Sequence, residues 1–324
     1  GEMGGDCLNY GCVPSKSLLA AGHAAQVIRT ANRFGVGATD PVIDHGAVRD
    51  HVQGVIAGIA PHDSQERFEG FGVRVIREAG RFTGPRTVVA GDAEITAKRI
   101  VIATGSSPAV PPIPGLDAIP YFTNETIFDN AEPIPHLLVI GGGPIGLEMA
   151  QAHARLGAKV TVLEGLKALG NDDPELAAIV MQRLAEENIG IHEGAMVKGF
   201  SGSAGEITVA AEIDGRPVQF QGSHVLMAVG RTPNLDGLDL EAAGIETGRG
   251  GIVVDARLRT TNKKVFAIGD AAQGYKFTHI AGYHAGIVIR NVLFRLPAKV
   301  DYRAVPWVTF TAPELAQVGL TETA

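Results

Sequence analysis

Residues 136–164 read HLLVIGGGPIGLEMAQAHARLGAKVTVLE, and their pattern is the strongest indication of the fold. A short apolar segment leads into Gly141-Gly142-Gly143-Pro144-Ile145-Gly146, helix-forming residues follow, and a second apolar segment ends in Glu164. This order predicts a strand, a helix and a second strand, which together form the βαβ unit of dinucleotide-binding domains. The glycines allow a tight turn, close approach of the backbone to a pyrophosphate and close packing of the helix.

The acidic residue at the end of the second strand indicates which dinucleotide is bound. Glu164 lies 18 residues beyond Gly146, where a carboxylate can accept hydrogen bonds from the adenosine ribose hydroxyls. The next four residues are Gly165, Leu166, Lys167 and Ala168, so no arginine stands ready for the 2'-phosphate of NADP. We therefore expect NAD, with NADP less favoured, bound by Gly141, Gly143, Gly146 and Glu164. A turn that is glycine-rich only for packing is the alternative.

Three further apolar runs, at 100–103, 225–229 and 265–268, are typical of parallel strands covered on both faces. Ligands of open α/β sheets bind at the carboxyl ends of the strands. The turns that follow the runs are therefore candidate binding loops, although plain turn chemistry would also explain them: Thr104-Gly105, Gly230-Arg231 and Gly269-Asp270.

The chain has only two cysteines, Cys7 and Cys12, both within GGDCLNYGCVPSK at 4–16. A crosslink between them would close a very short loop and add little stability, so redox chemistry explains the pair better. Pro14 suits a first helical turn, and helix-compatible residues continue from 17 to 28. Cys12 is thus expected at a helix N-terminus, which favours a reactive thiolate, with Lys16 on the same helical face. A chance pair of buried thiols, or half of a metal site with His23, are the alternatives.

Composition narrows the class of protein. The 324 residues suggest about two domains, and 45% of them are apolar, enough for a sizeable core. A net charge of -7 without any run of Lys or Arg gives no electrostatic case for nucleic acid or acidic membranes. No apolar stretch approaches the roughly twenty residues that span a bilayer, and no signal peptide opens the chain, so we expect a cytoplasmic protein. We also expect no resident metal, because no further Cys or His ligand except His23 lies near the cysteine pair.

Six motifs occur in the order seen in the flavoprotein pyridine nucleotide-disulfide oxidoreductases, and the chain resembles that family over nearly its whole length: GGDCLNYGCVPSK, IVIATGSSP, GGGPIGLE, VGRTPN, FAIGDAA and TFTAPELAQVGLTE. Within the family it is similar to the branch of dihydrolipoamide dehydrogenase, mercuric reductase and glutathione reductase. The resemblance implies an α/β fold with two Rossmann-like FAD- and NAD(P)-binding domains, the NAD domain being inserted into the FAD domain, and the start of an α+β dimerisation domain. The implied boundaries are 1–111 for the FAD domain with the redox helix, 112–233 for the NAD domain, 234–300 for a returning FAD or central segment, and 301–324 for the dimerisation domain.

The resemblance also implies roles for individual residues. Cys12 would be the thiolate facing the flavin, Cys7 the thiol that attacks the substrate disulfide, and Lys16 the ammonium beside the flavin, paired with Glu148. Gly230 would border the nicotinamide nucleotide. The residues implied for FAD are Gly4, Gly5, Lys16, Gly80, Thr104, Gly105, Gly269, Asp270 and Thr278.

The function implied is electron transfer between NAD(P)H, FAD and the Cys7–Cys12 pair, and onward to a small or protein-bound disulfide or dithiol, as in dihydrolipoamide dehydrogenase. A mercuric-ion reductase is the alternative, because two thiolates beside a flavin also suit a soft cation. A flavin-binding redox sensor without turnover is an alternative from another class. The full-length protein is expected to be a homodimer.

The chain departs from the family pattern in three places. In the family, a first GxGxxG precedes the cysteines, and a complete dimerisation domain carries the acid-base His and Glu. This chain has neither the first GxGxxG nor more than the start of that domain, so we expect it to be part of a longer protein. His279 and His284 are candidates only for structure or flavin surroundings. Asp6 and Tyr10 stand where relatives more often have a small hydroxyl or apolar residue.

Overall fold

The computed structural model describes residues 1–321. Its helices follow the chain in this order: α1 Gly5–Asn9, α2 Cys12–Arg29, α3 His45–Ile59, α4 Gln65–Gly70, α5 Pro144–Arg155, α6 Pro174–Glu186 and α7 Thr278–Val292. None of the helices in this part of the chain is long and apolar enough to cross a membrane.

Strands dominate the middle and the end of the chain. In order they are β1 Gly80–Gly84, β2 Thr87–Ala90, β3 Ala93–Thr96, β4 Ile100–Ile102, β5 Ser106–Pro108, β6 His136–Ile140, β7 Lys159–Leu163, β8 Gly190–His192, β9 Met196–Ser203, β10 Glu206–Ile213, β11 Arg216–Gly222, β12 His224–Met227, β13 Arg231–Pro233, β14 Thr247–Gly248, β15 Gly251–Ile252, β16 Val265–Ala267, β17 Pro306–Thr309 and β18 Leu315–Val318.

The chain divides into two compact units. The first unit contains Gly1–His62, Pro108–Gly230 and the chain from Val305 onward. The second unit is built from two stretches, Asp63–Ser107 and Arg231–Ala304, which flank the middle segment of the first in sequence. The mixed helix and strand content confirms the expected α/β class. The functional domain boundaries given above stay predictions, and residues 322–324 of the expected dimerisation segment lie outside the described residues.

A parallel four-stranded sheet of order β12-β6-β7-β8 forms the centre of the first unit. Strand β6 is apolar throughout because both of its faces are covered. Leu137 and Val139 belong to a cluster with α2, α3, α5 and α6, whereas Leu138 and Ile140 belong to a second cluster under the antiparallel sheet β11-β10-β9. This alternation follows from the two-residue period of a strand.

Helix α5 begins at the carboxyl end of β6 and packs closely against the cysteine-bearing helix α2. Gly143 is its N-cap and Pro144 its first residue. Proline is tolerated at this position because the N–H of a first helical residue has no partner within the helix. A Cβ built on Gly22 of α2 would lie 3.2 Å from the Ala152 carbonyl oxygen of α5, so a glycine permits the two backbones to approach. The cysteine-bearing helix α2 is thereby packed directly on α5.

Helix α5 also holds the hairpin β17–β18 through polar side chains. Gln151, which is completely buried, donates its amide to the Ala312 carbonyl at 3.0 Å and accepts from the Ala312 N–H at 2.7 Å. The indole N–H of Trp307 donates to Asp172 Oδ1 at 2.8 Å. A buried ion pair, Arg155 with Glu187 at 2.8 Å, closes the same helix at its carboxyl end. These bonds satisfy groups that would otherwise be costly to bury.

The second unit is built on smaller sheets. Strands β1, β2 and β3 form an antiparallel sheet, and β4 pairs in parallel with β16, Ile100 facing Val265. Two of the three apolar runs expected as parallel strands, 100–103 and 265–268, correspond to these strands, and the third, 225–229, corresponds to β12 of the first unit. The core around β4 and β16 contains Phe82, Ile102 and Ala267, and α7 packs over a neighbouring cluster through Ile287.

Acid is expected to destabilise the first unit through His153. Burial lowers the pKa of this histidine from 6.5 to about 4, with smaller contributions from His45 and His224. Between these two pH values, His153 is protonated in the unfolded chain but not in the folded chain. The free energy of unfolding therefore keeps its full value above pH 6.5 and decreases as the pH is lowered from 6.5 to about 4. The shift of between two and three pKa units corresponds to about 3 kcal/mol. Urea unfolding of the complete protein from pH 7 to 4 should show this loss, and His153→Gln should lack it.

The exposed His51 supplies the matched control. His51→Gln should retain the full acid dependence of the parent protein, because the His51 side chain is exposed and belongs to none of the buried clusters around His153. Equal acid profiles for the parent and His153→Gln would contradict the assignment.

Candidate redox and nucleotide sites

The two cysteines lie at the junction between α1 and α2. Cys12 is the first residue of α2 and its side chain is exposed, whereas Cys7 lies within α1 and is half-buried. The helix expected from 17 to 28 is confirmed, with α2 running from Cys12 to Arg29. Lys16 follows Cys12 by one helical turn, so both belong to one helical face.

Glycines and one asparagine shape the turn that precedes Cys7. Gly4 has φ 86°, and a Cβ there would lie 2.3 Å from Leu8 Cδ2. The Asn9 side-chain amide donates to the carbonyls of Met3 at 3.0 Å and Gly5 at 2.9 Å. Gly5 has φ 61°, but no described atom lies within 4 Å of a Cβ built on it. Gly5 therefore presents open backbone, which fits its expected contact with FAD, whereas Gly4 also serves the packing of α1.

The expected partner of Lys16 is in place. Its Nζ lies 2.7 Å from Glu148 Oε2, on helix α5, and 4.3 Å from the centre of the Phe310 ring. The Glu148 side chain is 6% exposed, and its second oxygen accepts the Phe310 N–H at 2.9 Å. A buried carboxylate needs such partners, and here an ammonium and a backbone amide supply them. The contact is as the resemblance implied, and the catalytic role of the pair stays a prediction.

The glycine-rich turn between β6 and α5 has the shape of a phosphate-binding loop. Gly141 has φ 113°, and a Cβ there would lie 2.3 Å from the Ala228 carbonyl oxygen. A Cβ on Gly146 would lie 2.0 Å from the Gly141 carbonyl oxygen. Gly143 differs, because no described atom lies within 4 Å of a Cβ built there. Gly141 and Gly146 are therefore required by the protein itself, whereas Gly143 leaves open space at the N-terminus of α5, where a pyrophosphate fits.

Glu164 is held firmly at the end of β7. Its Oε2 accepts the Gly142 N–H at 2.6 Å and its Oε1 accepts the Leu166 N–H at 2.7 Å. Nearby, Glu193 Oε1 accepts the Ala168 N–H at 2.9 Å. Two carboxylates thus orient the loop after β7, and each oxygen of Glu164 has capacity for a further donor. The ribose contact predicted for Glu164 is compatible with this geometry.

In the second unit, a polar network surrounds Asp270. The Ser106 hydroxyl donates to Asp270 Oδ2 at 2.6 Å, and Arg231 donates to the Ser106 hydroxyl at 2.7 Å and the Ser106 carbonyl at 2.6 Å. Asn234 binds the carbonyls of Thr104 at 3.1 Å and Gly105 at 3.0 Å. Gly105 has φ 70° and open space where a Cβ would lie.

Sequence reasoning selected Thr104, Gly105 and Asp270 and placed Arg231 in a candidate binding loop. It missed Ser106, whose hydroxyl joins Arg231 to Asp270. Ser106 stood inside the quoted motif TGSSP, so its position next to the selected residues was the available signal.

A buried histidine fixes the turn that carries Asp270. The Gly269 N–H donates to His284 Nδ1 at 3.1 Å, so the second ring nitrogen carries the proton and donates to the Tyr302 hydroxyl at 2.7 Å. Burial lowers the pKa of His284 and raises that of Tyr302. His284 therefore has the structural role that the sequence allowed. The remaining FAD candidates of this unit lie at element starts, Thr278 at the beginning of α7 and Gly80 at that of β1.

The selected residues divide between the units. The first unit contains Cys7, Cys12, Lys16 and Glu148, with Gly4, Gly5 and the NAD candidates Gly141, Gly143, Gly146, Glu164 and Gly230. The second contains Gly80, Thr104, Gly105, Gly269, Asp270 and Thr278. The open backbone at Gly5, Gly105, Gly143 and Gly230 is the feature that fits bound dinucleotides in both sets.

Comparison with known proteins gives consistent results. Residues 1–285 match the family described as pyridine nucleotide-disulphide oxidoreductase. The chain is 36% identical to a mercuric reductase of Streptomyces lividans and 36% identical to a dihydrolipoyl dehydrogenase of Geobacillus stearothermophilus, in each case over 99% of this chain and 69% of the relative. A solved structure, the Cu(II) complex of the HOCl-induced flavoprotein disulfide reductase RclA from Escherichia coli, superposes with a TM-score of 0.87 and 29% identity, over 99% of this chain and 70% of that one.

The chain covers only part of these relatives. Of three further mercuric reductases that are 33% to 35% identical, it spans between 51% and 59% of the length.

Proposed function

Because the chain belongs to the pyridine nucleotide-disulfide oxidoreductase family and is a disulfide oxidoreductase in the general sense, we propose that it passes electrons from NADH through FAD to the Cys7–Cys12 pair and on to a disulfide substrate. The observation that carries this proposal is Cys12 at the first position of α2, near a second cysteine and one turn before a lysine held by a buried carboxylate. The family name and the flavoprotein relative make FAD and NAD(P)H the cofactors.

The thiols would carry the exchange with the substrate. Bound FAD supplies two-electron chemistry between a nicotinamide and a thiol pair. In the reduced pair, the Cys7 thiolate attacks one sulfur of the substrate disulfide, forming a mixed disulfide and releasing one substrate thiol. Cys12 then attacks the Cys7 sulfur, restoring the Cys7–Cys12 disulfide and releasing the second substrate thiol. Two electrons leave the cysteines and two substrate thiols form, so the step balances.

Lys16 and Glu148 would hold a positive charge beside this chemistry. The carboxylate is almost fully buried and accepts hydrogen bonds from two donors, the Lys16 ammonium and the Phe310 N–H. The Lys16 side chain as a whole is 37% exposed, so the lysine is less enclosed than its carboxylate partner. Its fixed position supports the role expected from the resemblance, an ammonium beside the flavin.

NADH is the dinucleotide that the geometry supports. Glu164 is oriented by the two backbone N–H groups it accepts, so its charge would repel a 2'-phosphate and accept from ribose hydroxyls. Glu193, which follows β8 and accepts the Ala168 N–H of the loop after β7, adds a second negative charge. The open turn at Gly143 would receive the pyrophosphate.

A metal-ion reductase is the second candidate. The mercuric reductase of Streptomyces lividans is as similar as the dihydrolipoyl dehydrogenase, and the solved relative was obtained with Cu(II). Two thiolates bind soft cations well. A second cysteine pair near the C-terminus of the complete protein would favour this candidate.

The complete protein is proposed to be a homodimer, as the resemblance implies. A flavin-binding redox sensor without turnover remains the competing proposal from a different class.

Anaerobic titration of the complete, FAD-loaded protein with NADH tests the proposal. We expect four electrons to be taken up per FAD, two by the flavin and two by the disulfide, and two new thiols to react with Ellman's reagent. NADPH should be bound much more weakly because of Glu164. Uptake of two electrons with no new thiols would remove Cys7 and Cys12 from the electron path and favour the sensor. If the thiols appear, turnover with lipoamide, glutathione disulfide and mercuric ion identifies the acceptor.

A further inference from the structure

The carboxylate of Asp6 lies against the start of the redox helix α2. Its Oδ2 would be 2.7 Å, and its carbonyl oxygen 3.0 Å, from a Cβ built on Gly11, the N-cap of that helix. Asp6 itself belongs to α1, and its backbone carbonyl oxygen accepts the Tyr10 N–H at 2.8 Å. The residue that departs from the family pattern is thus directed at the junction between the two cysteines.

A buried asparagine fixes this arrangement from another part of the first unit. The Asn124 side chain, in a residue only 7% exposed, donates to the Tyr10 carbonyl at 3.1 Å and reaches Asp6 Oδ1 at 3.5 Å. The Asn124 side-chain amide therefore contacts both the Asp6 carboxylate and Tyr10, in the loop between the two cysteines. The position of the Asp6 carboxylate is therefore fixed by a contact with a buried residue, unlike that of a side chain surrounded by solvent.

The position has an electrostatic consequence. The first N–H groups of a helix lack partners within it and carry partial positive charge, which attracts a negative group. In α2 the N-cap is a glycine and supplies no side-chain hydrogen bond. A carboxylate from the adjacent helix can act in its place. The same end of α2 is what would stabilise a thiolate on Cys12, its first residue, so the two negative charges compete for it.

We propose that Asp6 caps α2 and sets the redox balance of the Cys7–Cys12 pair, its charge opposing the thiolate and so favouring the disulfide. Reduction breaks the S–S bond with two electrons and two protons, giving two thiols, and loss of one proton then gives the thiolate. Asp6 acts on this last form only, through charge, and is a positioning residue that does not react. The inference rests on the proposed redox function of the pair.

Other carboxylates near this loop provide a control. Burial raises the pKa of Tyr10, and Glu2, Glu125, Asp129 and Asp6 raise it further by their charges. Glu125 therefore acts on the same loop through its charge, but the three atoms nearest a Cβ built on Gly11 all belong to Asp6. Removing the charge of Glu125 tests whether any negative charge in this region has the effect of Asp6.

The test is a thiol-disulfide equilibrium in the complete, FAD-loaded protein. Oxidised protein is equilibrated anaerobically with mixtures of dithiothreitol and its disulfide, in which one reagent dithiol becomes a disulfide for each cysteine pair reduced. Asp6→Asn should shift the equilibrium constant about tenfold towards the dithiol, or about 30 mV for this two-electron couple. Glu125→Gln should shift it less than twofold. The rate of alkylation of the reduced protein by iodoacetamide at pH 7 should rise in the same order, because the thiolate is the reactive form.

Asp6→Ser provides a second variant that keeps a capping oxygen without the charge, should the asparagine disturb folding. It should give the same shift as Asp6→Asn. A shift below twofold in both Asp6 variants, or one equal to that of Glu125→Gln, would overturn the proposal. The equilibrium requires neither NADH nor turnover, so its outcome is distinct from failure of the NADH titration.

Discussion

Replacing either cysteine by serine in the complete, FAD-loaded protein should lower NADH-dependent disulfide reduction at least about 1000-fold, the scale seen when a catalytic nucleophile is removed. Serine has nearly the same size as cysteine, but its oxygen can neither form the disulfide nor accept two electrons. FAD should stay bound, and reduction of a small one-electron dye by NADH should persist. This second activity shows that the variants are folded. Turnover within tenfold of the parent protein would exclude the cysteine pair as the electron path.

The two serine variants should differ in what they trap. If Cys7 attacks the substrate, Cys12→Ser cannot resolve the mixed disulfide, and mass spectrometry should find one substrate thiol on Cys7. Cys7→Ser should then carry no adduct. Cys12 is the more exposed of the two in the structure, so the experiment must also look for the opposite result, in which the substrate thiol is attached to Cys12. An adduct on Cys12 in Cys7→Ser would exchange the roles that the resemblance assigned.

Gly146→Ala should abolish NADH binding and destabilise the first unit by roughly 3 kcal/mol, at the upper end of overpacking effects. The new Cβ would lie 2.0 Å from the Gly141 carbonyl oxygen, a backbone atom that cannot move aside without distorting the turn. Movement of this turn would also displace Gly142, whose N–H binds Glu164. Urea unfolding and calorimetric titration with NADH measure the two effects.

Gly143→Ala is the matched control, because it adds the same methyl group three residues earlier. Gly143 has φ -78°, which alanine adopts freely, and no described atom lies within 4 Å of the new Cβ. The unfolding free energy should therefore change by less than about 0.5 kcal/mol, as for other unstrained substitutions. NADH affinity should still fall at least tenfold, because the methyl group enters the space left for the pyrophosphate. Unchanged affinity would mean that the turn is glycine-rich for packing alone.

The fold could be predicted where its signals are local. The stretch at 136–164 contains its own strands, turn and helix start, and the structure has β6, α5 and β7 within it. Its pattern is complete because glycine, proline and apolar residues each act on neighbours only a few positions away. The same holds for α2, whose start follows from Pro14 and whose length follows from residues that are mostly helix-compatible.

Less of the site could be predicted from the sequence, because its contacts join distant parts of the chain. The sequence marked Glu148 as a partner for Lys16 only through the resemblance, and no pattern indicated that its second oxygen binds the Phe310 N–H. Asp6 was recognisable as unusual, but its place at the start of α2 depends on the turn at Gly11 and on Asn124. Such pairings are fixed by tertiary packing, which the sequence of either partner alone does not specify.

The bonds from α5 to the hairpin β17–β18 impose an order on synthesis. Among the residues that the structure describes, the buried side chains of Gln151 and Glu148 have their backbone partners at Ala312 and Phe310. While a ribosome is still extending the chain through residue 300, the side-chain partners Glu187 and Lys16 have been made but these backbone partners have not, and an unmet buried polar group costs about 1–3 kcal/mol. The nascent first unit therefore stays incompletely folded until its last strands emerge, and a protein terminated before them would be a substrate for quality-control proteases.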